Sequence, residues 1–157
     1  MTKIGRLICS VSVCLLTGFL GSYATRESVT TWYARLSRPS FTPPDWTFGV
    51  VWPVLYVMMG ISAFQIWNVG IDRRQVKVAL GVFALQLILN GLWTPIFFGL
   101  HLIGLALVEI IMMWVAILLT IFVFWRVSKS AALLLLPYVL WVSFAVVLNA
   151  SLFLFNR

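Results

Sequence analysis

WYARLSRPSFTPPDWTFGVVWPVLYVMMG, residues 32–60, is a proline- and tryptophan-dense loop that runs directly into an apolar helix. Pro39, Pro43 and Pro44 fix φ and restrict the residue ahead of each, so the loop is stiff. Trp32, Trp46 and Trp52 are spaced along it at the mouth of whatever the helices enclose. A long loop between helices commonly serves as a lid or as the wall of a binding site. Trp and Tyr in such a place also suit the aromatic belt of a bilayer surface, and on pattern alone both readings stand.

Outward from this stretch the chain is 62% hydrophobic and 10% charged, with a mean hydropathy of +1.06. Such values belong to an integral membrane protein. Eleven basic residues face four acidic ones. The basic residues gather in short connections between apolar runs, so lipid headgroups and topology account for them, and no nucleic-acid partner is expected. The sequence has no phosphate-cradling Gly loop and no His/Cys metal spacing, so no metal is expected. Cys9 and Cys14 lie in the first apolar run on different helical faces, which argues against a disulfide. His101 is the single histidine, a weak basis for metal or haem ligation.

Apolar runs at about 5–24, 46–69, 78–98, 103–125 and 131–155 each reach across a hydrocarbon core of about 30 Å. The fold expected is all-α, a five-transmembrane-helix bundle forming a single domain over 1–157 with loop 25–45 as its lid. The first run, preceded by Lys3 and Arg6 and followed by Ser22-Tyr23-Ala24, also fits a secretory signal with a small-residue cleavage site. Pro53, Pro95 and Pro137 predict local kinks, tolerated where neighbouring helices re-satisfy the freed carbonyls. Seven Lys and Arg on one side against four on the other place the N-terminus in the cytoplasm and the aromatic loop outside, if the host is an inner membrane. Whether that host is a cell membrane or an outer membrane stays open.

Counted from helix ends, Trp52, Asn90, Trp93, Glu109, Ala145 and Asn149 all fall about 7–15 Å below the loop side, with Trp141 deeper at about 20 Å. Gln86, Asn90, Trp93 and Phe97 share one face of the third helix, and Trp141, Ala145 and Asn149 one face of the fifth. The amides serve either as interhelical ties or as pocket lining. Glu109 reads as a buried, hydrogen-bonded acid, having no visible relay partner. Gly18 and Ser22 form a suggestive small-xxx-small pair for a dimer face. Indole faces, one small residue and a few amides under a stiff cap suit a flat, conjugated ligand with polar edges, a porphyrin or a sterol-like molecule. Arg35 and Arg38 at the rim would meet its carboxylates.

At these residues the chain resembles the TspO/MBR family of tryptophan-rich sensory and translocator proteins. The likeness is carried by W-Y-x-x-L-x-R-P and P-P-x-W-x-F-x-x-x-W-x-x-L-Y-x-x-M-G within 32–60, A-L-Q-L-x-L-N-x-x-W-T-P-x-F-F-G at 84–99, A-L-V-E at 106–109 and P-Y-x-L-W-x-x-F-A-x-x-L-N at 137–149. The resemblance implies that the first run is kept as a helix, and that the bundle is a homodimer in contact with membrane lipid. It implies a pocket beneath the first loop that takes porphyrins and other tetrapyrroles as ligand or substrate, with no resident cofactor. By motif position Tyr33, Trp52, Asn90, Trp93, Trp141 and Ala145 would line that pocket, with Trp32, Arg38, Trp46 and Phe97 around them. Some bacterial members degrade protoporphyrin in light and oxygen, and Trp52 and Trp141 match the tryptophans of that chemistry. Tetrapyrrole sensing, scavenging or light-dependent degradation is therefore the expected role, with a transporter or a stress-linked adaptor as alternatives. Phe41 stands where the family often has Trp, and LNASLFLFNR lacks the central Tyr of the animal sterol motif.

Overall fold

A computed structural model describes residues 2–157; Met1 and the side chain of Ala24 lie outside that description. Helix α1 (Lys3–Thr30) is capped by Thr2, whose hydroxyl accepts from the Gly5 amide at 3.2 Å. Then come a 3-10 turn at Tyr33–Arg35, α2 (Asp45–Val69), α3 (Arg74–Thr94) and a π turn at Pro95–Gly99. Helix α4 (Ile103–Trp125), a short α5 (Lys129–Leu133) and α6 (Leu136–Phe155) complete the chain. Among the described residues five spans are long and apolar enough to cross a membrane, the fifth comprising α5 and α6 together. Large apolar side chains such as Leu92, Val108, Leu119 and Leu140 point outward, as expected where the solvent is lipid.

Three differences from the expected boundaries shape the bundle. Helix α1 runs to Thr30 rather than 24, because no Gly or Pro interrupts residues 22–38: apolarity stops where the helix does not. The lid is therefore residues 31–44. Pro95, lacking an N–H, opens the end of α3 into the wide π turn, closed by the Leu100 amide on the Pro95 carbonyl at 2.9 Å. Pro137 follows a break at 134–135, so the fifth span is two helices instead of one kinked helix.

Small residues let the helices approach. A Cβ on Gly60 would sit 2.5 Å from the Val11 backbone, and one on Gly18 would overlap the Tyr56 ring, so α1 and α2 meet at contact distance there. Gly18 of the suggestive small-residue pair thus packs on α2, while Ser22, one turn on, is exposed. The half of the bundle away from the lid is solid: Ile66, Val76, Ala79, Phe124 and Ala131 are all fully buried. Ser62 donates to the Ala131 carbonyl at 2.7 Å and ties α2 to α5 in that half.

The lid is fixed from several sides. Pro39 is buried, and Thr42 folds back on its carbonyl through both N–H and hydroxyl, at 3.1 and 2.8 Å. The Asn156 side chain accepts from the Ser37 amide at 2.9 Å and donates to the Ser37 carbonyl at 3.0 Å, pinning the lid to the end of α6. Further on the lid descends: Phe41 packs against Phe144, three turns before α6 ends. Helix α2 consequently starts lower than α6 finishes.

Candidate functional site

Beneath the lid lies a cavity of about 680 Å³, walled by α1, α2, α3, the π turn, α4 and α6, with Tyr33 from the lid. Its size is that of a small-molecule site, ~300–1,000 Å³. Two indoles face it from separate helices. Trp52 on α2 stacks on Tyr56, with centroids 5.7 Å apart, and Trp93 on α3 stacks on Phe97 at 4.9 Å.

Polar groups in the wall are held by one another. The Tyr56 hydroxyl donates to Asn90 Oδ1 at 2.5 Å, Asn90 Nδ2 donates to the Tyr138 hydroxyl at 2.9 Å, and that hydroxyl donates to Gln86 Oε1 at 2.9 Å. One amide so joins α2, α3 and α6. Trp93 Nε1 donates to Asn149 Oδ1 at 3.2 Å, while Asn149 Nδ2 donates to the Ile103 carbonyl at 3.1 Å. Asn90 and Asn149 are both interhelical ties and wall, so the two alternatives read from sequence coexist. Glu109 is buried outside the wall, and neither carboxylate oxygen has a protein partner among the described residues. The expected hydrogen bonding of this acid is absent.

Of the ten residues expected at the site, Tyr33, Trp52, Asn90, Trp93, Phe97 and Ala145 line the cavity. Trp32 stands behind the wall, edge-on to Phe97 and stacked on His101 with centroids 4.3 Å apart. His101 takes φ 58°, and its Nε2 lies 3.2 Å from the Ser28 hydroxyl, which joins the loop before α4 to α1. Trp46 is 70% exposed on the first turn of α2, a belt position, because it points away from the side on which Phe48 and Trp52 sit. Arg38 is already engaged, lying over the Tyr33 ring at 5.2 Å and pairing with Asp45 at 3.5 Å. Burial pushes the Tyr33 phenol above its ordinary range, Arg38 pulling the other way and Asp45 adding to the rise, so at neutral pH Tyr33 is an O–H donor.

Trp141 is outside the wall. Its ring packs on Phe48 at 5.7 Å and Phe144 at 5.6 Å. Counting from helix ends sets Trp141 deeper than Trp52, and the contacts reverse that order. Trp141 meets Phe48, one turn nearer the lid than Trp52, whereas Trp52 meets Tyr138 at 6.4 Å, nearly one turn further from the lid than Trp141. The cause is the descending lid, which lowers the start of α2 relative to the end of α6.

Sequence reasoning missed the α1 wall: Leu15, Gly18, Phe19, Ser22, Thr25, Arg26 and Val29. Gly18, Ser22, Thr25 and Val29 stand at i, i+4, i+7 and i+11, a stripe of modest side chains that would have flagged a concave face. Phe48 and Tyr56 were likewise inside the quoted stretch without being singled out.

Residues 10–154 match the TspO/MBR family. The chain is 41% identical over 150 residues to the tryptophan-rich protein TspO of Chlorobaculum tepidum, covering 96% of this chain and 95% of that one. It is 43% identical over 152 residues to the protein of the same name from Archaeoglobus fulgidus, covering 96% and 97%. To the translocator protein of Homo sapiens it is 39% identical over 132 residues, covering 83% and 78%.

Proposed function

This chain belongs to the TspO/MBR family, a multi-pass integral membrane protein, and from that premise we propose that its cavity binds tetrapyrroles such as protoporphyrin for sensing, scavenging or light-dependent breakdown. The observation that carries this reading is the pair of indole faces, Trp52 and Trp93, set on two helices around one largely apolar hollow of about 680 Å³. A conjugated macrocycle gains dispersion and stacking from such faces, while hydroxyls and amides at the rim accommodate its polar edge. Of the two tryptophans matched to the photochemistry, Trp52 lines the hollow where a bound ring would lie, with Tyr56 stacked behind it. Trp141 would act on the ligand only through Phe48.

The relatives' names also speak of translocation. Passage through the bundle would require opening the far half, where Ile66, Val76, Ala79 and Phe124 are packed without exposure, so binding from the lid side is the reading favoured. The test is titration of purified protein with protoporphyrin, followed by the ligand's own absorbance. A Trp52→Phe, Trp93→Phe variant is expected to lose roughly tenfold in affinity, about 1.4 kcal/mol for two stacking faces trimmed rather than removed. Trp46→Phe, on the outer surface, should bind as the parent does. Equal affinity in all three proteins would place the ligand elsewhere and end the proposal.

A further inference from the structure

We propose that Arg26 is the anion anchor of the cavity, and that the gap between α1 and α2 beside it admits from the lipid an amphiphile with a carboxylate head and a broad apolar body. The gap follows from how the two helices part. They touch where Gly60 meets Val11 and where Gly18 meets the Tyr56 ring. Beyond Gly18, towards the lid, both helices line the hollow while their facing residues stay open: Phe19 is 69% exposed, Ser22 and Pro53 are exposed, and a Cβ on Gly49 would meet nothing within 4 Å. Phe19, Ser22, Gly49 and Pro53 lie within membrane spans, so this side door opens at hydrocarbon depth rather than to water.

Arg26 lines the same hollow one turn beyond Ser22 and just past Tyr23, where the first apolar span ends. A molecule entering through the gap would hold its body at the level of Trp52 and its head at the level of Arg26. Charge selects this arginine over the others. The single ion pair among the described residues is Arg38 with Asp45, which occupies Arg38 and offsets the acid that shares the mouth. Arg35 is exposed on the lid and absent from the wall. Arg26 is therefore the wall's one unpaired charge among the described residues. Its guanidinium fork matches a carboxylate in two-point geometry, which an ammonium does less well.

This inference deepens the tetrapyrrole reading and rests on it only for the ring-shaped ligand; a fatty acid has the same head chemistry, so the test carries both sources. Parent, Arg26→Gln and Arg26→Lys proteins are titrated with protoporphyrin and with its dimethyl ester, and separately with bromine-labelled stearic acid and its methyl ester, which quench tryptophan on contact. Partitioning into the micelle is common to all three proteins, so it cancels when the acid-to-ester ratio is compared between parent and variant. The parent should prefer acid to ester by about tenfold, the scale of one partly exposed charge-assisted bond. Arg26→Gln should bring that ratio to near unity, Arg26→Lys should keep part of it, and raised salt should weaken only the acids. If porphyrin fails to bind the parent while the stearate pair behaves this way, the tetrapyrrole reading falls and the anchor stands. If porphyrin binds but the acid preference is missing in the parent or survives Arg26→Gln, the anchor is overturned and the tetrapyrrole reading stands. Failure of both acids to bind the parent overturns both.

Discussion

Replacing Ala145 with Trp should abolish protoporphyrin binding, with a loss of roughly hundredfold or more, about 2.7 kcal/mol, and leave the thermal midpoint of the protein near that of the parent. Ala145 is on the α6 wall, one turn from Trp141 and one from Asn149, with its methyl bordering open volume. An indole added to a packed core forces neighbours off their rotamers and destabilises it. Added here, it would fill space that holds no protein atoms, so occupancy is lost while helix packing is kept. The informative comparison is Ala116→Trp, because Ala116 is buried inside α4 and outside the wall. That variant should unfold far more readily. Parent-like binding by a folded Ala145→Trp protein would mean that the ligand does not use this hollow.

Asn90→Leu should cost about 2–3 kcal/mol of stability and show as an earlier loss of helix on heating in detergent. Single interhelical hydrogen bonds in membranes average well under 1 kcal/mol, since the unfolded helices find other partners. Asn90 is different in kind, because one amide accepts from Tyr56 and donates to Tyr138, and its loss leaves the Tyr56 hydroxyl without an acceptor and takes from the Tyr138 hydroxyl, still bonded to Gln86, the N–H it accepts. A leucine cannot satisfy either. Adding Tyr56→Phe to Asn90→Leu removes the orphaned hydroxyl and should recover part of the loss, although each single change alone destabilises. A double variant less stable than Asn90→Leu would show that the packing of the Tyr56 ring, not the hydrogen-bonded chain, holds α2 against α3.

The spans were legible because they depend on local rules, and the six residues that line the hollow were named by helical spacing or by motif position. Apolar length sets a membrane helix, and helical spacing puts Asn90, Trp93 and Phe97 on one face. Residues whose role depends on the vertical offset between helices were not legible. Trp141 and Ala145 are four apart on α6, yet only Ala145 reaches the wall, since the descent of residues 38–44 brings Phe48 up against Trp141. No count from helix ends contains that descent. Arg38 and Arg26 illustrate a second limit: both are basic residues near the first loop, and only the placement of Asp45 decides which one is spoken for. The α1 wall was not legible for a third reason: a cationic start, apolar middle and small-residue end also spell an export signal, and that pattern does not say which face Gly18, Ser22 and Thr25 present to a neighbour.

Asn156 holds both the N–H and the C=O of Ser37, as a neighbouring strand would. The hydrogen on that one nitrogen is therefore shielded for as long as residues 31–44 lie against the end of α6. In heavy water its replacement by deuterium would report how readily the cover lifts, and so tell lid opening apart from entry between α1 and α2 without any label.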